Sequence, residues 1–144
     1  MEPKYEVTDN PPSDAFQKMW SPLLEFNEQA VGNAKSRTLA ILLKDSTTEE
    51  LIGGLWGRSL WDSLYIDIMF VPEGLRRSGI GTTLLQQAEQ EAIRRGCQNM
   101  WTETYAFQAR PFYEKLGFAV FGRLDGPAPI FPRFFLRKNL GNLG

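Results

Sequence analysis

The stretch IDIMFVPEGLRRSGIGTTLL, residues 66 to 85, decides the fold of this chain. Its first six residues are branched, aromatic or otherwise apolar apart from one aspartate, which is typical of a β-strand. After the two arginines and the paired glycines, the apolar spacing changes to that of an amphipathic helix. The sequence therefore predicts a strand, a tight turn and a helix in direct succession.

The turn itself reads Arg76-x-x-Gly79-x-Gly81. It lacks the GxxxxGK[ST] pattern, and the third glycine of GxGxxG is missing, so it matches neither of the two common phosphate-binding loops. Glycines let the main chain approach a ligand, and the N–H groups at a helix start carry the positive end of the helix dipole. Such a turn suits a pyrophosphate, with Arg76 and Arg77 adding charge and Thr82 adding a hydroxyl donor. A plain chain reversal with solvated arginines explains these residues equally well.

Composition removes several classes of function. The chain has 144 residues, the usual size of one domain, and we expect a single domain over 1–144. Its 16 Lys+Arg against 17 Asp+Glu give no general attraction to nucleic acid or to an anionic membrane. With no histidine and the single cysteine Cys97, a Cys–His nucleophile, a histidine metal site and an internal disulfide are excluded, and no metal is expected. No apolar leader or membrane-spanning run is present, which predicts a cytoplasmic protein.

Helices and strands are mixed along the rest of the chain. A serine cap at Ser13 and the proline Pro22 predict a helical arm broken into two pieces, which stops at Gly32. The later elements are predicted as strands 38–44, 51–57 and 63–71, a helix that ends at Gly96, a strand 97–105, a short helix 109–116, a strand from about Gly117 and a last strand around RFFLRK. This order predicts an α/β fold around a mixed sheet.

Two periodic patterns indicate which side chains share a face. On the helix after the turn, the apolar face is predicted to carry Ile80, Leu84, Leu85, Ala88, Ala92 and Ile93. Along strand 63–71, alternation places Leu64, Ile66, Ile68 and Phe70 on one face and Tyr65, Asp67, Met69 and Val71 on the other. A carboxylate in the middle of a strand is costly unless it is exposed, paired or used, so Asp67 is a candidate functional residue.

A second motif, ARPFYEKLGF at 109–118, follows the first after a helix and a strand. Together, the two motifs resemble the GCN5-related N-acetyltransferase (GNAT) superfamily, whose members carry [RQ]-x-x-G-x-[GA] after their fourth strand and [FL]-Y-x-x-x-G-[FY] near the C-terminus. The resemblance covers roughly residues 38 to 121. It implies a mixed, mostly antiparallel sheet with splayed central strands and helices on both faces. It also implies direct acetyl transfer from acetyl-coenzyme A to an amine, without a covalent enzyme intermediate.

The resemblance implies a set of coenzyme-binding residues. The pantetheine arm would pair with the backbone of the strand end, and the pyrophosphate would be held by the turn; the residues are Met69, Phe70 and Val71 for the arm and Arg76, Arg77, Ser78, Gly79, Ile80, Gly81 and Thr82 for the pyrophosphate. Gln108 lies where family members hold coenzyme or substrate with a polar side chain, commonly an asparagine. The strand that splays away is placed at MWTETYAF, residues 100–107.

Two residues are candidates for proton transfer. Tyr113 stands where many members of the family have the tyrosine that protonates the coenzyme thiolate, and the alternative is a half-buried core aromatic. Asp67 matches a glutamate that serves some relatives as general base through water, and the alternative is a carboxylate that only caps or pairs with an arginine. Tyr65 and Glu103 are reserve candidates, since Glu103 on the neighbouring strand could reach the same cleft.

The function predicted from these residues is acetyl transfer from acetyl-coenzyme A to a primary amine, with a small molecule favoured as acceptor by the near-neutral charge. Two alternatives stay open: a non-catalytic module that binds acetyl-coenzyme A for sensing or interaction, and a phosphate-binding module for another nucleotide. The strand RFFLRK is apolar enough to support a homodimer, but an internal sheet strand looks the same.

Overall fold

The computed structural model describes residues 1–141, which fall into two compact units. The first unit is Met1–Ala34, and the second begins at Lys35. Neither unit contains, within residues 1–141, a helix long and apolar enough to cross a membrane. Each unit is described by itself below.

The first unit contains one continuous helix, α1 (Ala15–Val31), with Pro22 inside it. The predicted break at Pro22 is therefore wrong. The predicted serine cap is also wrong, because the N-cap residue is Asp14, whose side chain makes no capping hydrogen bond. An interior proline removes one N–H donor and crowds the carbonyl four residues before it, yet α1 continues through Pro22. The helix ends as predicted, where the Gly32 N–H donates to the Glu28 carbonyl at 2.8 Å.

Over residues 35–141, the second unit is a six-stranded sheet with two α-helices. Its elements are β1 (Arg37–Lys44), β2 (Leu51–Leu60), β3 (Ser63–Phe70), a 3₁₀ turn (Glu73–Leu75), α2 (Ile80–Arg94), β4 (Asn99–Tyr105), α3 (Arg110–Lys115), β5 (Ala119–Leu124) and β6 (Arg133–Asn139). The strand order is β1-β2-β3-β4-β6-β5, and only the β3–β4 pair is parallel. The predicted α/β fold with a mixed, mostly antiparallel sheet is confirmed.

The core lies between the sheet and α2. The helix buries Leu84, Leu85, Ala88 and Ala92, as its apolar spacing predicts. Ile93 is 52% exposed, so its placement on the buried face was wrong. It follows Ala92 by one residue, which is a 100° rotation around the helix and beyond the edge of the buried stripe.

Strand β3 departs from simple alternation at Asp67. Trp56 of β2 pairs with Ile68, and the next residue of β2, Gly57, pairs with Ile66, which leaves Asp67 without a partner on β2. This bulge reverses the faces of the residues that follow. Ile68 and Phe70 are therefore more than half exposed, and Met69 packs against the core, which corrects the predicted faces of all three.

The central strands β3 and β4 are paired over only three positions. Their register joins Ser63–Tyr65 to Asn99–Trp101 and then stops. Beyond that point β3 stays paired to β2, and β4 stays paired to β6. The two strands therefore part after Tyr65, and the hydroxyl of Thr102 spans the start of the gap by donating to the Ile66 carbonyl at 3.0 Å.

Candidate active site

The turn between β3 and α2 leaves the start of the helix open. Gly79 is the N-cap residue in the left-handed conformation, with φ of +87°, and makes no side-chain cap. A Cβ added to Gly79 would have no atom within 4 Å, so the space beside it is free among the described residues. Because the first N–H groups of a helix lack partners within it, this end of α2 offers donors to an anion.

Other residues of the turn hold it in shape. The hydroxyl of Ser78 donates to the Leu75 carbonyl at 2.5 Å, and that of Thr83 donates to the Gly79 carbonyl at 3.1 Å. Arg77 adopts φ of +64°, which costs energy for a residue with a side chain. Strained backbone that surrounding contacts maintain is frequent at ligand-binding turns.

The second glycine of the motif has a packing role that the sequence did not reveal. A Cβ on Gly81 would lie 3.2 Å from the ring of Phe112, which is tighter than most side-chain contacts. Gly81 therefore lets α2 approach α3 closely. Ile80 and Thr82 lie beside it in the first turn of α2 and are partly buried.

The two arginines of the turn differ. Arg76 donates from Nε to the Val71 carbonyl at 2.8 Å, and its guanidinium lies 5.8 Å from the centre of the Phe70 ring. It therefore secures the end of β3. Arg77 forms no salt bridge within residues 1–141 and is exposed, so its charge remains available at the rim of the turn.

The end of β3 presents backbone groups to the gap. Met69 and Phe70 pair with β2 on one side, and on the other side the pairing with β4 has already ended at Tyr65. A strand edge of this kind can accept an extended partner through main-chain hydrogen bonds. Along the chain, these residues and Val71 come after the point where β3 and β4 part and before the start of α2.

Tyr113 of α3 lies in the core beside the gap. Its side chain is 7% exposed, and its ring makes edge contacts with Phe112 and Phe118 at 5.3 and 5.5 Å. Burial raises the pKa of the Tyr113 hydroxyl, and a hydrogen bond with Thr102 lowers it by less. Tyr113 therefore stays protonated at neutral pH, next to the threonine that spans the start of the gap.

The raised pKa of Tyr113 predicts a loss of stability in alkali. An unfolded tyrosine ionises near pH 10, and the folded state holds its proton to higher pH, so above about pH 10 the folded state binds more protons. Stability should then fall as pH rises through the folded pKa. Measured by urea unfolding between pH 8 and 11, the fall should be smaller in Tyr113→Phe; an identical fall in both proteins would contradict the assigned shift.

Asp67 lies on the other side of the sheet, at the bulge. It is exposed, and it accepts a long hydrogen bond from the Tyr65 hydroxyl at 3.5 Å. No arginine pairs with Asp67 among the described residues. The Tyr65 hydroxyl is also 3.5 Å from Glu103 Oε1, so it stands between two carboxylates.

Glu103 forms an ion pair that the sequence analysis missed. Arg133 of β6 lies 2.5 Å from Glu103 Oε1, and both side chains are 27% exposed. The sequence analysis included Arg133 only as the first residue of the last strand, RFFLRK. The available signal was the alternation of RFFLRK, which predicts that Arg133 lies on the same face of the strand as Phe135.

Gln108 has a structural partner. Its side-chain oxygen accepts hydrogen bonds from the Tyr105 N–H at 2.8 Å and from the Thr104 hydroxyl at 3.3 Å. These bonds fix the turn that leads from β4 into α3. The side-chain oxygen is thus engaged in the turn, and only the amide nitrogen could serve a ligand.

No group of three or more His, Cys, Asp or Glu residues able to hold a metal ion occurs within residues 1–141. The site instead combines an open helix start, an unpaired strand edge and a buried phenol. A mixed sheet whose central strands part beside such a helix start defines a class of protein, the acyl-coenzyme A-dependent acetyltransferases.

Comparisons with known proteins give the family. The profile of the acetyltransferase (GNAT) family matches residues 4–118. Acetyltransferase Atu2258 of Agrobacterium fabrum is 33% identical over 123 residues, which are 85% of this chain and 88% of that protein. The crystal structure of a protein from Agrobacterium tumefaciens described as an acetyltransferase superposes with a TM-score of 0.85 at 30% identity, covering 94% of this chain and 98% of the other.

The name of a further relative includes its substrate. Blasticidin-S acetyltransferase of Streptomyces morookaense is 38% identical over 84 residues, which are 58% of this chain and 59% of that protein.

The chain belongs to the GNAT family of acetyltransferases. The prediction of an acyl-coenzyme A-dependent N-acetyltransferase is thereby confirmed, and the family uses acetyl-coenzyme A as acetyl donor.

Proposed function

We propose that this protein transfers an acetyl group from acetyl-coenzyme A to a primary amine of a small molecule, with Tyr113 as general acid and Asp67 as general base. The observation that carries the proposal is the position of Tyr113, a buried and protonated phenol beside the gap between β3 and β4. The small-molecule acceptor is supported by the name of the relative from Streptomyces morookaense.

The coenzyme fits the residues around the turn. The open space beside Gly79 and the uncapped N–H groups of α2 suit a pyrophosphate, with Ser78 and Ile80 in the same backbone segment. The edge of β3 at Met69 suits the amide groups of an extended arm. Bound there, the coenzyme supplies an acetyl thioester.

The chain's own residues then manage two protons. An alkyl ammonium group has an unperturbed pKa above 10 and must lose a proton before its nitrogen can attack. Asp67 takes that proton, directly or through water, before the N–C bond forms. When the C–S bond breaks, the Tyr113 hydroxyl gives its proton to the thiolate; the new amide nitrogen loses its second proton to solvent, and Tyr113 recovers a proton from solvent.

Asp67 suits the base because it is exposed and has no arginine partner among residues 1–141. A carboxylate whose oxygen already accepts a charge-assisted hydrogen bond from a guanidinium is less available to a substrate amine. Of the two carboxylates near the gap, Glu103 is the paired one. The base is therefore assigned to Asp67.

Isothermal titration calorimetry with acetyl-coenzyme A tests the proposal, with ATP and NAD as controls. We expect micromolar binding of acetyl-coenzyme A alone, followed by release of free thiol when primary amines are added. Equal binding of ATP would mean that the turn is a general phosphate site. Binding without thiol release for any amine in a broad panel would leave a coenzyme-binding module.

A further inference from the structure

One hydroxyl lies between two carboxylates where β3 and β4 part. The Tyr65 oxygen is 3.5 Å from Asp67 Oδ1 and 3.5 Å from Glu103 Oε1. Hydrogen bonds between two oxygens are usually about 2.7–2.8 Å long, so both contacts are loose. A hydroxyl carries one hydrogen and can donate to one of the carboxylates at a time.

A third strand, β6, places one cation against Glu103. Arg133 pairs with Glu103, and its guanidinium lies 5.0 Å from the centre of the Tyr105 ring and 5.5 Å from that of Phe135. Its Nε atom is buried and has no hydrogen-bond partner in the structure. The aromatic rings and the burial hold Arg133 at Glu103. Two carboxylates and one guanidinium give this group of three side chains a formal charge of −1.

The Tyr65 side chain is neutral and does not change the formal charge of this group. Burial raises the pKa of its hydroxyl, and the nearby Glu103 and Asp67 carboxylates raise it further. The phenol therefore remains neutral and acts as a donor. Its ring is held against Trp101, with the two ring centres 4.4 Å apart, which fixes the hydroxyl near both carboxylates.

Resting on the function proposed above, we propose that Glu103 is a specificity-determining residue, and that the protonated acceptor amine binds beside the Tyr65 hydroxyl, in contact with both Asp67 and Glu103. An ammonium group has three donors, so it can satisfy both carboxylates at once where a single hydroxyl cannot. It also brings a positive charge to a group whose formal charge is negative. The acceptors selected are alkyl amines that are cationic at neutral pH, in preference to aromatic amines that are neutral there.

Steady-state kinetics of two substitutions test this inference. Glu103→Gln should raise KM for an alkyl amine about tenfold and leave the Kd of acetyl-coenzyme A within about twofold. Arg133→Gln should lower KM for the same amine, because it removes the competing cation. The matched control is Glu114→Gln, since Glu114 also pairs with an arginine, Arg110, but on the exposed surface of α3; its KM should not change.

The two variants distinguish a role of Glu103 in binding the amine from a purely structural role of the Glu103–Arg133 pair. If the Glu103–Arg133 pair only braces the sheet, both variants should raise KM together and lower the melting temperature, which would overturn the inference. An unchanged KM in Glu103→Gln, in an enzyme that transfers acetyl groups normally, would also overturn it while leaving the proposed function intact. Failure of the wild-type protein to acetylate any amine would instead refute the proposed function and this inference with it.

A neutral acceptor gives a second readout. The ratio of kcat/KM for an alkyl amine to that for an aromatic amine should fall about tenfold in Glu103→Gln, since only the cationic acceptor loses an ionic partner. A ratio that does not change would show that Glu103 does not select charge.

Discussion

Replacing Tyr113 by phenylalanine is expected to lower kcat for acetyl transfer by about 100-fold, because a positioned general acid typically contributes 10²- to 10⁴-fold. The phenylalanine ring retains the edge contacts with Phe112 and Phe118, so the packing of α3 is preserved. Only the hydroxyl and its hydrogen bond with Thr102 are lost, which should cost about 1 kcal/mol of stability. The Kd of acetyl-coenzyme A should remain within about twofold.

The control for this experiment is Tyr105→Phe. It removes a phenol hydroxyl from β4, whose neighbouring Thr104 is the residue that faces the core. Tyr105→Phe should therefore retain most of the wild-type kcat. If Tyr113→Phe keeps kcat within about threefold of wild type, Tyr113 is a core aromatic and the proton of the thiolate comes from elsewhere.

Much of the fold was predictable because its signals are local. The strand, turn and helix over residues 66–85 follow from composition and spacing within 20 residues, and the structure has β3, the 3₁₀ turn and α2 there. The end of α2 at Gly96 was readable for the same reason, since a glycine after the last apolar residue typically ends a helix.

The bulge at Asp67 was not predictable from β3 alone. Alternation assumes that each residue has one partner on the next strand, and the bulge depends on how Trp56 and Gly57 of β2 align with β3. A slip of one position moves all following side chains to the opposite face. The exposure of Ile68 and Phe70 is the direct consequence.

The candidate site likewise has one feature that was predictable from the sequence and one that was not. The open helix start was predicted because it lies within one short motif. The ion pair of Glu103 with Arg133 joins residues 30 positions apart and requires β6 to lie next to β4, with β5 outside it. Nothing in the sequence between them gives that strand order.

The largest effect on coenzyme binding is expected at Gly79. Gly79→Val should weaken acetyl-coenzyme A binding at least tenfold, or about 1.4 kcal/mol. The new side chain meets no atom of the described protein within 4 Å of its Cβ, so it projects into the space that the turn leaves for a ligand. The same substitution strains the backbone, because φ at this position is +87°.

Gly96 provides a matched control for that strain. It lies just beyond the other end of α2, its φ is +83°, and an added Cβ there also meets nothing within 4 Å. Gly96→Val therefore imposes a similar conformational cost, about 1–2 kcal/mol, without changing the helix start. Comparable falls in melting temperature are expected for the two variants, with loss of coenzyme binding in Gly79→Val alone.

Calorimetric Kd values for the two variants distinguish a turn that binds the coenzyme pyrophosphate from a turn that only reverses the chain. Equal losses of affinity would mean that general destabilisation of α2 explains the effect. An affinity within about twofold of wild type in Gly79→Val would contradict the assignment of the turn as a pyrophosphate site. A loss confined to Gly79→Val is the result expected if the ligand occupies the space beside the first turn of α2, because φ and the free space around an added Cβ are matched at the two glycines.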